Sequence, residues 1–374
     1  MTGSHGDRPR GVEEEFHVFD IESGQPVPRA DALPRGAERH GETFTGELPR
    51  SVVESDSGAH ASPDGLFGDL TTTRARTDRA AASEGQAAVA AGTAPPARLG
   101  TVPSTDGDPR HAHLTYEYGR LGDEQLICGV HVHADVPDRD TAVRAMCVVA
   151  PCLPVLPALS ASSPYGPGAD TGHASRRTMV RQRRPTAGPP GCFAGAQEYD
   201  RVVDELVGSG VIGDPGTIHD DLRPPAHLPT VEMRVCDAPP HAETVAMTAE
   251  LYRALVADAL DRTETGKAGC GGNHAWLRAA TWRAARSGPE GEPVHPLTRR
   301  PVLAPDAVRG TLRRLRPALE AHGDHRPSDH RPSDRGGTHA KTRPSAPARH
   351  RIRLPREPSG AVHRPGGGGV PCAV

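Results

Sequence analysis

Two acid-bearing blocks lie some 220 residues apart in this chain, GVEEEF at 11–16 and TVEMRVCD at 230–237. Strand alternation puts Glu13 and Glu15 on one face of the first block, and Glu232 and Arg234 on one face of the second. GELPRSVVES adds Glu47 and Glu54, whose odd separation lets them share a strand face only across a bulge. Carboxylates are hard oxygen donors, so this set suits magnesium ions that hold the phosphates of a nucleotide. Spacing alone fits a set of solvated charges better.

The segment QLICGVHVHADV alternates Val130, Val132, Ala134 and Val136 with His131, His133 and Asp135. The three polar residues share a face and offer the edge of a metal site, although zinc wants a further soft or imidazole ligand that the sequence does not place. Core-lining histidines give the same pattern. Arg234 puts a guanidinium fork beside Glu232, able to neutralise a phosphoryl group or to form a surface pair with the glutamate. Arg176, Arg177, Arg181, Arg183 and Arg184 crowd one loop, as an anion site or as solvated charge.

These residues need elements to position them. Strands are expected at 11–19, 46–55, 125–136 and 230–237, with helices in the alanine-rich stretch 70–91 and at 196–208, 243–261, 274–287 and 305–321. A Pro/Gly-rich loop is expected from Ser160 to Phe193. No regular βαβ rhythm appears, which favours an α+β class. GxxxxGK[ST], strand-following GxGxxG and GxSxG are all missing, which argues against the common phosphate loops and against a nucleophile elbow.

The formal charge of -3 argues against a nucleic-acid or membrane-surface partner. Aromatics make only 3% of the chain, while 42 glycines and 39 prolines are a poor composition for a rigid core. The 7 cysteines have no CxxC spacing and an odd count, so neither a zinc knuckle nor a disulfide framework is expected, and a reducing cytoplasm fits best. No run approaches a membrane span, and the N-terminus lacks a signal-peptide core. After Gly323, HRPSD occurs twice and apolar residues thin out, so 1–322 is read as the folded domain and 323–374 as a low-complexity, disordered tail.

The order GVEEEF, EL…VVES, CGVHVHADVPDRD, SPYGPGADTGHASRRT…PTAGPP and DLRPPAHLPTVEMRVCDAPP resembles the glutamate–cysteine ligase type 2 family, and within it the bacterial carboxylate–amine ligase branch. The resemblance covers about residues 10–320. It implies a glutamine synthetase-like α+β fold, a curved antiparallel sheet forming a funnel with helices outside. It also implies an ATP- and Mg2+-dependent ligase that makes an acyl phosphate and then an amide, with weak glutamate–cysteine ligase activity. The alternative is a decayed relative that keeps the scaffold or ATP binding alone.

Carried over by position, the resemblance makes Glu13, Glu15, Glu47, Glu54, His131 and Glu232 magnesium ligands around the ATP phosphates. Arg234 then contacts the transferring phosphoryl group, and Arg177 steadies the acyl phosphate or the substrate carboxylate. Expected partners are glutamate or another amino acid, cysteine or another amine, and a second copy in a homodimer. Arg181 and Arg184 stand where the family usually carries aromatic residues, and the Gly-Ala-Asp-Arg-Gln-Arg-like motif that ends its members has no counterpart after Gly323. A metal hydrolase built on His131, His133 and Asp135 is a third, separate reading.

Overall fold

The computed structural model describes residues 8–27, 44–46, 51–97, 109–264 and 274–321. Glu47 and the 323–374 tail lie outside the described residues. In chain order the strands are β1 (Arg10–Asp20), β2 (Phe44–Gly46), β3 (Val52–Asp56), β4 (Gln86–Val89), β5 (Gly129–Asp135), β6 (Tyr165–Gly166), β7 (Ala169–Asp170), β8 (Leu222–Arg223) and β9 (Thr230–Asp237). The helices are α1 (Pro63–Ser83), α2 (Pro109–Tyr118), α3 (Arg120–Asp123), α4 (Arg139–Val149), α5 (Val155–Ser160), α6 (Arg176–Arg181), α7 (Ala196–Gly208), α8 (Ala242–Glu264), α9 (His274–Ser287) and α10 (Ala304–Ala321).

One antiparallel sheet runs β2-β3-β1-β5-β9-β8, with β4 also on β1, and β6-β7 form a separate small ribbon. The sheet is open, and the expected α+β class holds. The large hydrophobic core joins the apolar positions of β1, β5 and β9 to α1, α4 and α8; Val12, Val132, Met233, Met146 and Tyr252 are all essentially inaccessible. Burial of several such side chains at roughly 1.5–3 kcal/mol each is what holds the helices to one face. The opposite face is thereby left to the polar residues.

Local chemistry sets the boundaries. Ser62 caps α1 by accepting from the Gly65 N–H with Pro63 in the first turn, and Asp138 caps α4 through the Thr141 N–H. The helix expected at 70–91 therefore starts earlier and stops at Ser83. Residues Gln86–Val89 instead form β4, because the chain turns back at Gly85 (φ +71°) and pairs with His17–Asp20. The supposed loop 160–193 also holds structure, the β6-β7 ribbon and α6. Strand β9 shifts register against β5 between Val130 and Val132, so Cys236 faces the apolar side beside Met233 (Sγ–Sδ 3.8 Å) rather than the Glu232/Arg234 side.

Cys147 on α4 and Cys192 before α7 form a disulfide with Cα atoms 5.1 Å apart, which corrects the expectation of no disulfide. The two cysteines are 45 residues apart, and only the packing of these segments brings them together. Cys128, Cys152 and Cys236 are buried and lie outside this disulfide. No helix among the described residues is long and apolar enough to cross a membrane.

Candidate functional site

Sheet register assembles the acids. Glu13 on β1 lies opposite His131 on β5 and Asp56 on β3, Glu15 lies opposite Glu54, and His133 lies opposite Glu232. Glu13 and His131, 118 positions apart in sequence, thus become neighbours across one strand spacing.

Glu13 is the centre. Its carboxylate accepts from His131 Nδ1 and from His133 Nε2, each at 2.8 Å, and His133 Nδ1 lies 3.1 Å from the Thr230 hydroxyl. Burial pulls the Glu13 carboxyl upward, but the hydrogen bonds from His131 and His133 overcome it and hold Glu13 far below the usual carboxylate range. Burial, aided by the Arg234 guanidinium, holds His131 below its ordinary value. A neutral His131 that donates from Nδ1 keeps Nε2 as a lone-pair donor for a cation.

Two groups of ligand atoms fall within 4.8 Å of one another: Glu13, Glu54 and His131, and Glu13, His133 and Glu232. Glu13 belongs to both. Glu15 is not in either group; it accepts from the Gly129 N–H. Glu232 is buried and accepts from Arg223 on one oxygen and Arg234 on the other. Burial favours its neutral form, but Arg234 and Arg223 outweigh this and bring the carboxyl down to about 2. The Glu232–Arg234 pair expected from the spacing is present, buried rather than on the surface.

Arg177 is positioned by a buried polar node. Asp237, at the end of β9, accepts from the Ser163 hydroxyl on one oxygen and from the Ser175 hydroxyl on the other, each at 2.7 Å. Ser175 caps α6, and Ser163 Oγ accepts the Arg177 N–H at 3.1 Å. The side chain then crosses Gly129, where an added Cβ would lie 1.9 Å from a guanidinium nitrogen, and reaches the carbonyl of Arg234 at 3.4 Å. Only glycine leaves that passage open.

Glu13, Glu15, Glu54, His131, Arg177 and Arg234 line one cleft of about 280 Å³. A neighbouring cleft of about 820 Å³ has Tyr199, Val203, Pro224, Pro225 and Leu228 among its walls and shares Glu13 and Arg223 with the first. Of the residues expected at the site, Glu13, Glu54, His131, Glu232, Arg177 and Arg234 converge, and Glu15 stands beside them. The triad of His131, His133 and Asp135 does not assemble, because Asp135 lies at the strand end, bonded to Arg8 at 3.0 Å. Arg181 is not solvated: it is 4% exposed and bonded to Asp221 at 2.6 Å.

Sequence reasoning missed Arg223, His219 and Tyr118, which also line the smaller cleft. Arg223 sits in the DLRPPAHLPT segment, whose three prolines before β9 mark a tight return; a strand pair there would have placed it opposite Glu232.

The open antiparallel sheet with helices on one face is a fold seen in solved structures. It is shared with the glutamate–cysteine ligase of Francisella tularensis, 12% identical, at TM-score 0.62 over 84% of this chain and 78% of that one. It is equally shared with a bifunctional glutathione synthetase from Pasteurella multocida, 14% identical, at TM-score 0.62 over 86% and 45%. The chain itself belongs to glutamate–cysteine ligase family 2, whose model matches residues 10–327. Two relatives bear the name "putative glutamate–cysteine ligase 2". The Frankia casuarinae protein is 46% identical over 314 residues, 84% of this chain and 36% of that protein, and the Nocardia farcinica one is 38% identical over 314 residues, 84% and 82%. The chain therefore spans little more than a third of the Frankia relative's length.

Proposed function

We propose that the chain is an ATP-dependent carboxylate–amine ligase with weak glutamate–cysteine ligase activity, acting in the cytoplasm. The terminal phosphoryl of ATP passes to a substrate carboxylate with release of ADP, and an amine then displaces phosphate from the acyl phosphate to form an amide. The observation that carries this reading is Glu13, an ionised carboxylate shared by two groups of cation ligands and facing Arg177 and Arg234 across one cleft.

The donor set fits magnesium: carboxylates with one or two imidazoles, on strands whose register fixes them. Glu13, Glu54 and His131 form the first ligand group and Glu13, His133 and Glu232 the second, with Glu15 beside them. When bound, the metal supplies neutralisation of phosphate charge. Arg234 contacts the transferring phosphoryl group, and Arg177 steadies the acyl phosphate. Phosphoryl transfer depends on such positioning and charge neutralisation and needs no covalent nucleophile. The larger, more apolar cleft suits a nucleoside and the smaller one an amino acid; AMP bound to the Francisella tularensis enzyme supports nucleotide binding on this fold.

The test is magnesium-dependent release of ADP, starting with glutamate plus cysteine and extending across amino-acid pairs. Folded protein that turns over no pair overturns the reading. A second reading, a scaffold that binds ATP without catalysis, is favoured by Glu232, whose oxygens are both occupied by arginines. Titration calorimetry that finds no magnesium–ATP binding excludes it.

A further inference from the structure

The Cys147–Cys192 disulfide is the one covalent cross-link among the described residues. Cys192 is exposed and Cys147 half-buried, whereas Cys128, Cys152 and Cys236 are buried. A thiol in solution can therefore reach the bond at the Cys192 sulfur. Disulfides are rare in a reducing compartment, and those that form there are usually redox-sensing or catalytic. A ligase acting in the cytoplasm thus carries a bond that its surroundings can open.

The bond holds the entry to α7. Phe193, next to Cys192, meets Tyr199 edge to face with ring centroids 5.3 Å apart. Tyr199, Asp200, Val203 and Asp204 of α7 line the larger cleft. Arg139 of α4 donates to Asp200 at 2.7 Å and to the carbonyls of Pro224 and Pro225 at 3.1 and 2.9 Å, and all four residues line the same cleft. The polar ties at the start of α7 are light. Its N-terminus has no side-chain cap, the Ala196 N–H donates to Asp140 at 2.6 Å, and the Arg139–Asp200 pair is 35% and 49% exposed. Pairs that exposed contribute little, so the disulfide is the main restraint on the first turn. Further along, Val203, Leu206 and Val207 pack on the core, so the rest of the helix stays docked without it.

We propose that Cys147–Cys192 is a reversible thiol–disulfide exchange site, opened by a dithiol, that sets the affinity of the larger cleft. A thiolate of the dithiol attacks the Cys192 sulfur, the S–S bond breaks, and Cys147 leaves as a thiolate that takes a proton. The second thiol then closes on the mixed disulfide. Cys192 is released as a thiol, the dithiol becomes its own disulfide, and two electrons have passed to the protein. In the open form the first turn of α7 loses its anchor and Tyr199 its fixed place in the cleft wall. The inference rests on the ligase reading for its ligand, magnesium–ATP.

Dithiothreitol is the probe, applied to the full chain, with Cys147 and Cys192 followed by alkylation and peptide mass spectrometry. It opens the pair under native conditions, and amide hydrogen exchange then rises at 192–200 while that of β1 is unchanged. Magnesium–ATP binds the open form about 10-fold more weakly, as expected when only about a tenth of the molecules hold the competent wall, and reoxidation restores the affinity. The double variant Cys147→Ser/Cys192→Ser binds like the reduced wild type and is insensitive to dithiothreitol; the reduced wild type serves in its place if the variant does not fold. A pair that opens only in denaturant, exchange that rises throughout the sheet, or equal magnesium–ATP affinity of the two forms overturns the proposal. Opening with the local rise in exchange, but no magnesium–ATP binding by either form, overturns the ligase reading and leaves the exchange site standing.

Discussion

The acidic and basic sides of the cleft are built in different ways. Glu13, Glu15, Glu54, His131, His133 and Glu232 all project from adjacent strands, so backbone hydrogen bonding fixes their spacing. Arg177, Arg181 and Arg184 come from a six-residue helix and the turn after it, and their guanidiniums are held by a few contacts to residues 35 to 59 positions away. One side is set by register and the other by a few buried polar bonds. Substitution of the acids should therefore act on chemistry with little change of shape, whereas the arginines can be moved by changing a residue that touches no ligand.

Glu13→Gln tests the register-built side and has the largest expected effect. Loss of the ligand common to both cation groups should reduce ADP release by about 1000-fold or more and remove magnesium-dependent thermal stabilisation. Circular dichroism should be unchanged, and near-normal turnover would break the assignment. Asp221→Asn addresses the other side by stability: it leaves Arg181 buried and unpaired, at a cost of about 3–5 kcal/mol in a urea melt. A change under about 1 kcal/mol would mean that this pair does not anchor the arginines.

Gly129→Ala links the two sides. The new methyl displaces the end of a flexible guanidinium rather than backbone, so the sheet survives while Arg177 leaves its place. Turnover should fall about 100-fold, the effect of removing one preorganised charge donor, with a near-normal melting temperature. An active variant would show that Arg177 does not act from this position.

The smallest effect is a pH slope. His17, lowered to about 3 by burial, and His131 and His219, lowered also, are neutral in the folded state. A depressed pKa means that the unfolded state takes the proton first. Their stabilisation is therefore present above about pH 6.5 and fades as pH falls below it, by up to about 1.4 kcal/mol per group per pH unit. Glu232, lowered to about 2 from 4.5, adds a second loss between those values. Urea midpoints that stay flat from pH 7.5 to 5.5 would contradict neutral burial of the histidines.

The same contrast explains what could be read from the chain alone. VHVHAD alternates with period two, and the same strand period puts Glu13 on the face opposite Val12 and Phe16, so Glu13 and His131 are expected to face one way once their strands pair. Arg181 had no such local signal: its burial depends on Asp221, 40 residues on, and a run of arginines in a Pro/Gly-rich stretch looks solvated without that partner. The β4 strand was hidden by alanine, whose helix propensity gave way to pairing with β1. Strict alternation would put Cys236 on the Glu232 and Arg234 face, but a bulge reverses it and leaves no trace in residue type. The disulfide joins cysteines that no spacing rule pairs.

Glu13 borders both clefts, and this gives the molecule a property beyond ligand placement. Its one negative charge enters the energy of any anion or cation in either chamber, so occupation of one alters affinity in the other. Thermodynamic linkage requires that influence to be mutual and of equal factor in each direction. The carboxylate that organises the site thereby also makes its two occupants aware of each other.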